Sequence, residues 1–448
     1  MWIMMGRILH PALLWFSVMW LCIAALTALL NPPFQCPDEP AHLAYSLYNA
    51  HERRLPLEHL EAVILELSAS FRFWQLVDFP EPSSPPSRFY EAPLLRMKPT
   101  QLSKPTLYYS GMGTLLRFLR IDGPLPALII SRGVGLALSF GAAMLLLLIG
   151  GQTQKESSEW LLWACGLMTP QYVYMAGAVN PANLAWLASA MTIYGSIRLL
   201  VKPDRVSGWL WGLTGIVLGL VSHRSSLLAL PGFLLSIFLV LYRRSVRGTL
   251  LNRYRVAACI GSAGVMIWIL ISNRMPGLIR LMAHQIISQF RTLDWIVEGS
   301  PWNLEWWTRF GSHFGASLVL NFGWLKHPAP GWYYYLYILM LLPVVPGILI
   351  LMQRSRDRFV VDVWMVHGIN IVVAVCVVVL QFGLRHELTQ GRYLFPVWPS
   401  IVMWVCAIWN EGIPSGYREP CRKAVFFLSL GMLLYSIAGV LIPRLMLT

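Results

Sequence analysis

The stretch NPPFQCPDEPAHLAYSLYNAHERR (31–54) sets two adjacent carboxylates, Asp38 and Glu39, between prolines just after a long apolar segment. His42 lies four residues beyond Asp38, and Tyr45 continues the same helical face, so an acid, an imidazole and a phenol can converge on one cleft. The other unusual polar groups fall beside apolar runs as well: Arg132, Asn180, Asn183, His223, Arg224 and the group Arg385, His386, Glu387 and Arg392. Charged groups near membrane depth are costly and call for a reason. A carboxylate with several guanidiniums nearby describes a site for an anionic, phosphate-bearing substrate with a general base beside it.

Each of these groups also has a plain structural use. Adjacent acids at a helix start complement its dipole and cap it. Arg132 can snorkel or pair with a loop carbonyl. Arg224, in a short hairpin on the side poor in basic residues, goes against the usual charge bias. His284, His313, His327 and His367 lack ligand spacing and are expected to be structural, and GWYYYLYI (331–338) reads as an aromatic belt at the membrane surface.

The elements that must position these groups are membrane helices. Of 448 residues, 56% are hydrophobic and only 12% charged, with a mean hydropathy of +0.57, too few charges to coat a soluble protein of this size. The net charge of +14 is gathered in short segments between apolar runs rather than on one basic face, which argues for topology determinants and against nucleic acid as a partner. The seven cysteines show no CxxC or paired spacing, so neither a zinc site nor a disulfide framework is indicated. Apolar runs at 8–31, 126–150, 158–177, 181–201, 207–222, 224–242, 255–273, 331–352, 361–384, 393–411 and 424–443 predict an all-α polytopic membrane protein of about 11–13 transmembrane helices. The first run, too long for a signal sequence and without a small-residue cleavage site, is expected to remain as an anchor.

The basic loops at 242–255, 353–358 and 417–423 fall on one side when these spans are threaded. The positive-inside rule makes that side, and the N-terminus, cytoplasmic. The chain then reads as one domain over 1–448. It comprises a first span (1–31), a large extracytoplasmic loop (32–125), a first helix group (126–273), a second long extracytoplasmic loop (274–330) and a C-terminal helix group (331–448). Within the first loop, 38–68 reads as amphipathic helix, 78–93 as proline-rich loop, and 104–120 as a helix lying in the membrane interface. Asp38, His42, Arg132, Asn180, Arg224 and Arg392 all fall on the extracytoplasmic side.

Three blocks carry a resemblance: NPPFQCPDEPAHLAYSLYNA (31–50), NFGWLKHPAPGWYYYLY (321–337) and QGRYLFPVWPS (390–400). Fainter echoes are KPTLYY (104–109), ISRGVGLAL (130–138), AGAVNPANLAW (176–186) and HRSSLLALP (223–231). In this order they resemble the bacterial membrane-protein family of unknown function numbered 2142, which is similar to glycosyltransferases of the GT-C type. The resemblance implies a multi-pass transferase of the bacterial inner membrane, acting at the extracytoplasmic face. It would move a hexose or pentose from a polyprenyl-phosphate carrier to a hydroxyl of a glycan or lipid acceptor. It assigns the general base to Asp38, with Glu39 second, and lipid-phosphate binding to Arg392 and Arg224. The shared side of the polar residues adds His42 as a catalytic candidate and Arg132, Asn180, Tyr45 and Tyr393 as substrate- or lipid-phosphate-binding candidates. The resemblance does not fix a cofactor; were a divalent cation, Mg or Mn, to take part, Asp38 and Glu39 would be its ligands. The sequence departs from the family where relatives have Asn-x-Asp: here Asn180-Pro181-Ala182-Asn183 lacks the acid.

Two other classes of function compete. A transporter or flippase for a lipid-linked glycan would line a path through the midplane with charges, whereas here the spans are almost wholly apolar in their middles. A non-catalytic envelope-assembly protein would have Asp38 and Arg392 far apart.

Overall fold

The computed structural model describes residues 11–76, 86, 89, 107–153, 169–246, 304–322, 327–347, 350, 358–385 and 391–443. The expected span at 255–273 lies outside them, as do the proline-rich 78–85, most of the 158–177 run and residues 386–390. Helix α1 (Pro11–Leu30) is apolar along its length and stops at Asn31-Pro32-Pro33, where proline removes the N–H donors that another turn needs. There follow α2 (Glu39–Ala50), α3 (Leu57–Ser70), the single turn α4 (Phe73–Leu76) and α5 (Leu107–Phe118). The continuous helix expected over 38–68 is therefore two helices. Glu52 and Arg53 take left-handed backbone (φ 52° and 62°), and Pro56 follows before the second helix begins.

The membrane portion comprises α6 (Pro124–Thr153), α7 (Pro170–Ala176), α8 (Ala182–Val201), α9 (Val206–Ser222) and α10 (Leu230–Val246), the last entered through a 3₁₀ segment, Arg224–Ala229. Next come α11 (Leu304–Val319) and the strands β1 (Asn321–Phe322) and β2 (His327–Pro328), whose antiparallel register pairs Asn321 with Pro328 and Phe322 with His327. Helices α12 (Gly331–Leu341) and α13 (Arg358–Arg385) lead to a second 3₁₀ segment, Gly391–Val397, then to α14 (Trp398–Gly412) and α15 (Arg418–Tyr435), which runs on as a π-turn.

Six described segments are long and apolar enough to cross a bilayer: Pro124–Thr153, Ala182–Val201, Ser225–Arg243, Val360–Val379, Gly391–Gly412 and Ser415–Leu441. The protein is an all-α polytopic membrane protein, apart from that two-residue strand pairing. Helix α8 forms the hub, packing against α6, α9, α10 and both 3₁₀ segments. The turns after α1, α7, α9 and α13 meet at one end of the bundle.

Two apolar cores result. One lies among the membrane helices and includes Trp20, Tyr172, Trp186, Phe233 and Phe395. The other sits at the Asp38 end, where α2, α3 and α5 bury Leu43, Leu47, Ile64, Tyr108, Tyr109, Met112 and Leu116 over Ala127 and Leu128 of α6. The apolar face of α5, expected to lie in the membrane interface, is thus turned against α2, leaving Leu107 and Phe118 exposed. Gly113 makes this approach possible: a Cβ there would sit 2.7 Å from the Asn49 Cβ and 2.8 Å from the Ala50 backbone N. We expect Gly113→Ala to cost about 1–3 kcal/mol through overpacking. Gly111→Ala, two residues away and facing open space, should stabilise by roughly 0.5–1 kcal/mol through helix propensity. Thermal unfolding of the purified variants in detergent checks both signs.

Candidate functional site

The site is built around an ion pair. Glu39 opens α2 and is fully buried (0% exposed), and Arg132 lies eight residues into α6, about two turns at 3.6 residues per turn. Arg132 Nη2 donates to Glu39 Oε2 at 2.7 Å and Nε donates to Oε1 at 2.9 Å, a two-pronged pairing. The other three N–H groups go to backbone carbonyls at the end of α1: Nη1 to Ala28 (2.9 Å) and Asn31 (2.6 Å), and Nη2 to Pro32 (2.9 Å). All five guanidinium donors therefore have protein acceptors. Glu39 in turn accepts from Phe34 N (3.0 Å) and Val179 N (3.3 Å).

This clamp sets the turn that carries Asp38. Phe34 and Asp38 both adopt left-handed backbone, φ 69° and 67°. Aspartate tolerates that region better than most residues, at a cost of roughly 1–2 kcal/mol. The turn lifts the Asp38 side chain, 30% exposed, towards the Gly391–Val397 segment, where Arg392 Nη2 donates to Asp38 Oδ2 at 3.2 Å. Arg392 itself is only 8% exposed. It is held by its neighbour: Gly391 N donates to Ser317 Oγ of α11 at 2.6 Å, and a Cβ on Gly391 would meet the Leu318 backbone N at 2.5 Å. Arg392 Nη1 is buried and has no hydrogen-bond partner among the described residues. Tyr393, partly exposed, has its ring centroid 5.8 Å from the Arg392 guanidinium carbon.

One turn into α2, His42 Nδ1 shares a 2.6 Å hydrogen bond with the hydroxyl of Tyr109 on α5. The Tyr45 ring packs against Tyr109, centroids 5.7 Å apart. The partner of the imidazole is therefore Tyr109, which sequence spacing missed because it sits 67 residues away; the only signal was its place in KPTLYY. Burial pushes the Tyr109 phenol well above its ordinary range, and Tyr108, Tyr45 and the Asp38 carboxylate add to the shift, so it stays protonated. Burial and the charge of Glu39 push the Cys36 thiol up in the same way.

Asp38 thus meets Arg392, which lies beside Tyr393, while His42 and Tyr45 meet Tyr109, whose phenol also feels the charge of Asp38. The Asn180 side chain accepts from Ala182 N at 2.8 Å at the start of α8, and Asn183 Nδ2 donates to Ala178 O at 2.9 Å; both shape the turn above Glu39. His223 Nδ1 bonds the Ser225 hydroxyl. The side chains of Arg224 and Arg385, and all of His386 and Glu387, lie outside the described residues.

The described residues do not make a cation site. With both Glu39 oxygens on Arg132, Asp38 is left as a single carboxylate ligand, and among the described residues no group of three His, Cys, Asp or Glu could hold a metal. Removing one partner of a buried ion pair strands the other, so Arg132→Met and Glu39→Gln should each destabilise by about 3–5 kcal/mol. The double variant should regain part of that loss; detergent-solubilised unfolding curves measure the coupling.

The family described as "predicted membrane protein (DUF2142)" matches residues 100–401, about two-thirds of the chain. No curated protein and no solved structure matches it. The matched stretch contains Tyr109, Arg132, Asn180, Arg224, Ser317, Arg392 and Tyr393, while Asp38, Glu39 and His42 precede it. The chain belongs to this family of predicted membrane proteins.

Proposed function

We propose that the protein is a membrane glycosyltransferase, which moves a sugar from a polyprenyl-phosphate donor to an acceptor hydroxyl at the extracytoplasmic face of a bacterial inner membrane. The observation that carries this is the 3.2 Å meeting of Asp38 and Arg392 from opposite ends of the sequence. A partly exposed carboxylate there adjoins a buried guanidinium with an N–H group that has no partner among the described residues. The assignment of sides rests on the positive-inside rule applied to the basic segments of the sequence.

In this reading Glu39 and Arg132 hold the site in shape and touch no substrate. The lipid phosphate takes up the Nη1 donor of Arg392 and draws its charge away from Asp38, freeing that carboxylate to act as base. Asp38 accepts the proton of the acceptor hydroxyl as its oxygen bonds to C1 of the sugar. The bond from C1 to the phosphate oxygen breaks on the opposite face, inverting the centre. Arg392 stabilises the charge gathering on the departing lipid phosphate. His42, steadied by Tyr109, lines the acceptor side.

A second reading, transport of a lipid-linked glycan, draws on polar groups inside the helices. Ser400 Oγ lies 3.1 Å from His367 Nδ1 and accepts from Asn370 Nδ2 (3.3 Å), and Asn370 Oδ1 accepts from Gly232 N (2.8 Å). Proteoliposomes loaded with a polyprenyl-phosphate sugar labelled in the sugar separate the two. Transferase activity moves the label onto an acceptor, whereas transport moves the intact lipid between leaflets. Asp38→Asn, which keeps a residue tolerant of left-handed backbone, should lower transfer by about 10²–10⁴-fold. Arg392→Gln should lower it by roughly 10²–10³-fold. Full transfer activity in Asp38→Asn would remove Asp38 as base.

A further inference from the structure

Four hydrogen bonds close a ring of chain segments around the Asp38 end of the bundle. Arg392 Nη2 donates to Asp38 Oδ2 (3.2 Å). Three residues before Asp38, the Gln35 carbonyl accepts from the Tyr174 hydroxyl (2.8 Å). Three residues before Tyr174, on the same face of α7, Gln171 Oε1 accepts from Asn321 N (2.9 Å). Four residues before Asn321, Ser317 Oγ accepts from Gly391 N (2.6 Å), and Gly391 adjoins Arg392.

Each segment of this ring carries one buried polar atom with no partner among the described residues: Gln35 Nε2, Gln171 Nε2, Asn321 Oδ1 and Arg392 Nη1. All four side chains are more than nine-tenths buried. For Gln171 the bond from Asn321 N fixes which end of the amide is the acceptor, so the unused atom is the donor. Protein interiors seldom leave so many such groups unsatisfied, and here they sit on one closed frame.

The chemistry of the four atoms is mixed. Arg392 suits a phosphate. Two amide N–H donors and an amide carbonyl do not complete a phosphate site, because Asn321 Oδ1 would face another acceptor. A hydroxyl accepts and donates at once, and a sugar ring presents several hydroxyls on one face. We infer that Gln35, Gln171 and Asn321 form a sugar subsite that binds the hydroxyls of the donor's glycosyl group beside the phosphate held by Arg392. The inference rests on the proposed glycosyltransferase reading and names the part of the donor that the ring selects.

Two of the three residues can be changed without opening the ring, since Gln35 closes it through its carbonyl and Asn321 through its backbone N–H. The test uses the full chain in lipid nanodiscs. Its probes are polyprenyl phosphate alone and polyprenyl-phosphate glucose, galactose, mannose and xylose, with affinity read by native mass spectrometry. The wild type should bind at least one sugar-bearing probe more tightly than bare polyprenyl phosphate. Gln35→Met and Asn321→Leu should erase that preference, at least fivefold, with binding of bare polyprenyl phosphate unchanged, which also reports that they are folded. Arg392→Gln should weaken every probe.

If the wild type binds all probes equally, or the two variants keep the sugar preference, the subsite is overturned while the phosphate reading stands. If the wild type binds none of the probes, both fall.

Discussion

Everything at the Asp38 end of this protein hangs on the buried pairing of Glu39 with Arg132. One guanidinium ties together the last carbonyls of α1, the first residue of α2 and the body of α6, while the carboxylate adds the backbone of Phe34 and Val179. Burying such a pair costs desolvation on both sides, so its contribution to net stability is small. Its contribution to geometry is large, because a planar fork with all donors engaged admits one arrangement. The alternative arrangements of the 31–38 turn would each leave a charge or several carbonyls unpaired in the interior.

That constraint explains why the backbone strain sits where it does. With α1 stopped by Pro32 and Pro33 and Glu39 locked onto α6, the few residues between must reverse direction in a short space, and Phe34 and Asp38 do so by entering the left-handed region. Strain of this kind persists only where its surroundings over-determine it, and it concentrates at working sites. Here it holds up the one carboxylate of the pair that reaches solvent. A second clamp, Gly391 against α11 with its N–H on Ser317, fixes Arg392 from the other side. The two halves of the ion pair between Asp38 and Arg392 thus come from separately anchored turns.

The sequence made the helices legible, because a membrane span must satisfy its backbone internally and announces itself by long apolar runs. It also led to the expectation that the unusual polar residues share one end, where the described structure brings Asp38, Glu39, Arg132 and Arg392 together. It did not show who pairs with whom. Arg132 and Arg392 look alike in the sequence as cations beside apolar runs, yet one is wholly engaged by protein and the other has an N–H group with no partner among the described residues. That difference depends on contacts 93 and 354 residues distant along the chain, which no local pattern encodes. The same holds for Tyr109 as the partner of His42, and for Ser317 behind Gly391. The break at 51–56 was missed for a different reason: amphipathic periodicity resumes in register beyond it, so Pro56 was the only cue.

Asp38 and Glu39 are neighbours in sequence, so composition and spacing treat them as equals. Their surroundings do not. Asp38 is the left-handed residue just before α2 and Glu39 is the first residue of the helix; Glu39 points inward to Arg132 of α6, and Asp38 is left partly exposed beside Arg392. Glu39 is then fixed by four hydrogen bonds and screened from water, while the Asp38 carboxylate, among the described residues, has one long contact and is partly exposed. A group so fully engaged can define a shape but has no lone pair left to accept a proton. A group with one breakable partner can exchange that partner for a substrate. The division of labour proposed for the two acids therefore follows from the left-handed turn at the helix start, and it requires that the inner acid be held first.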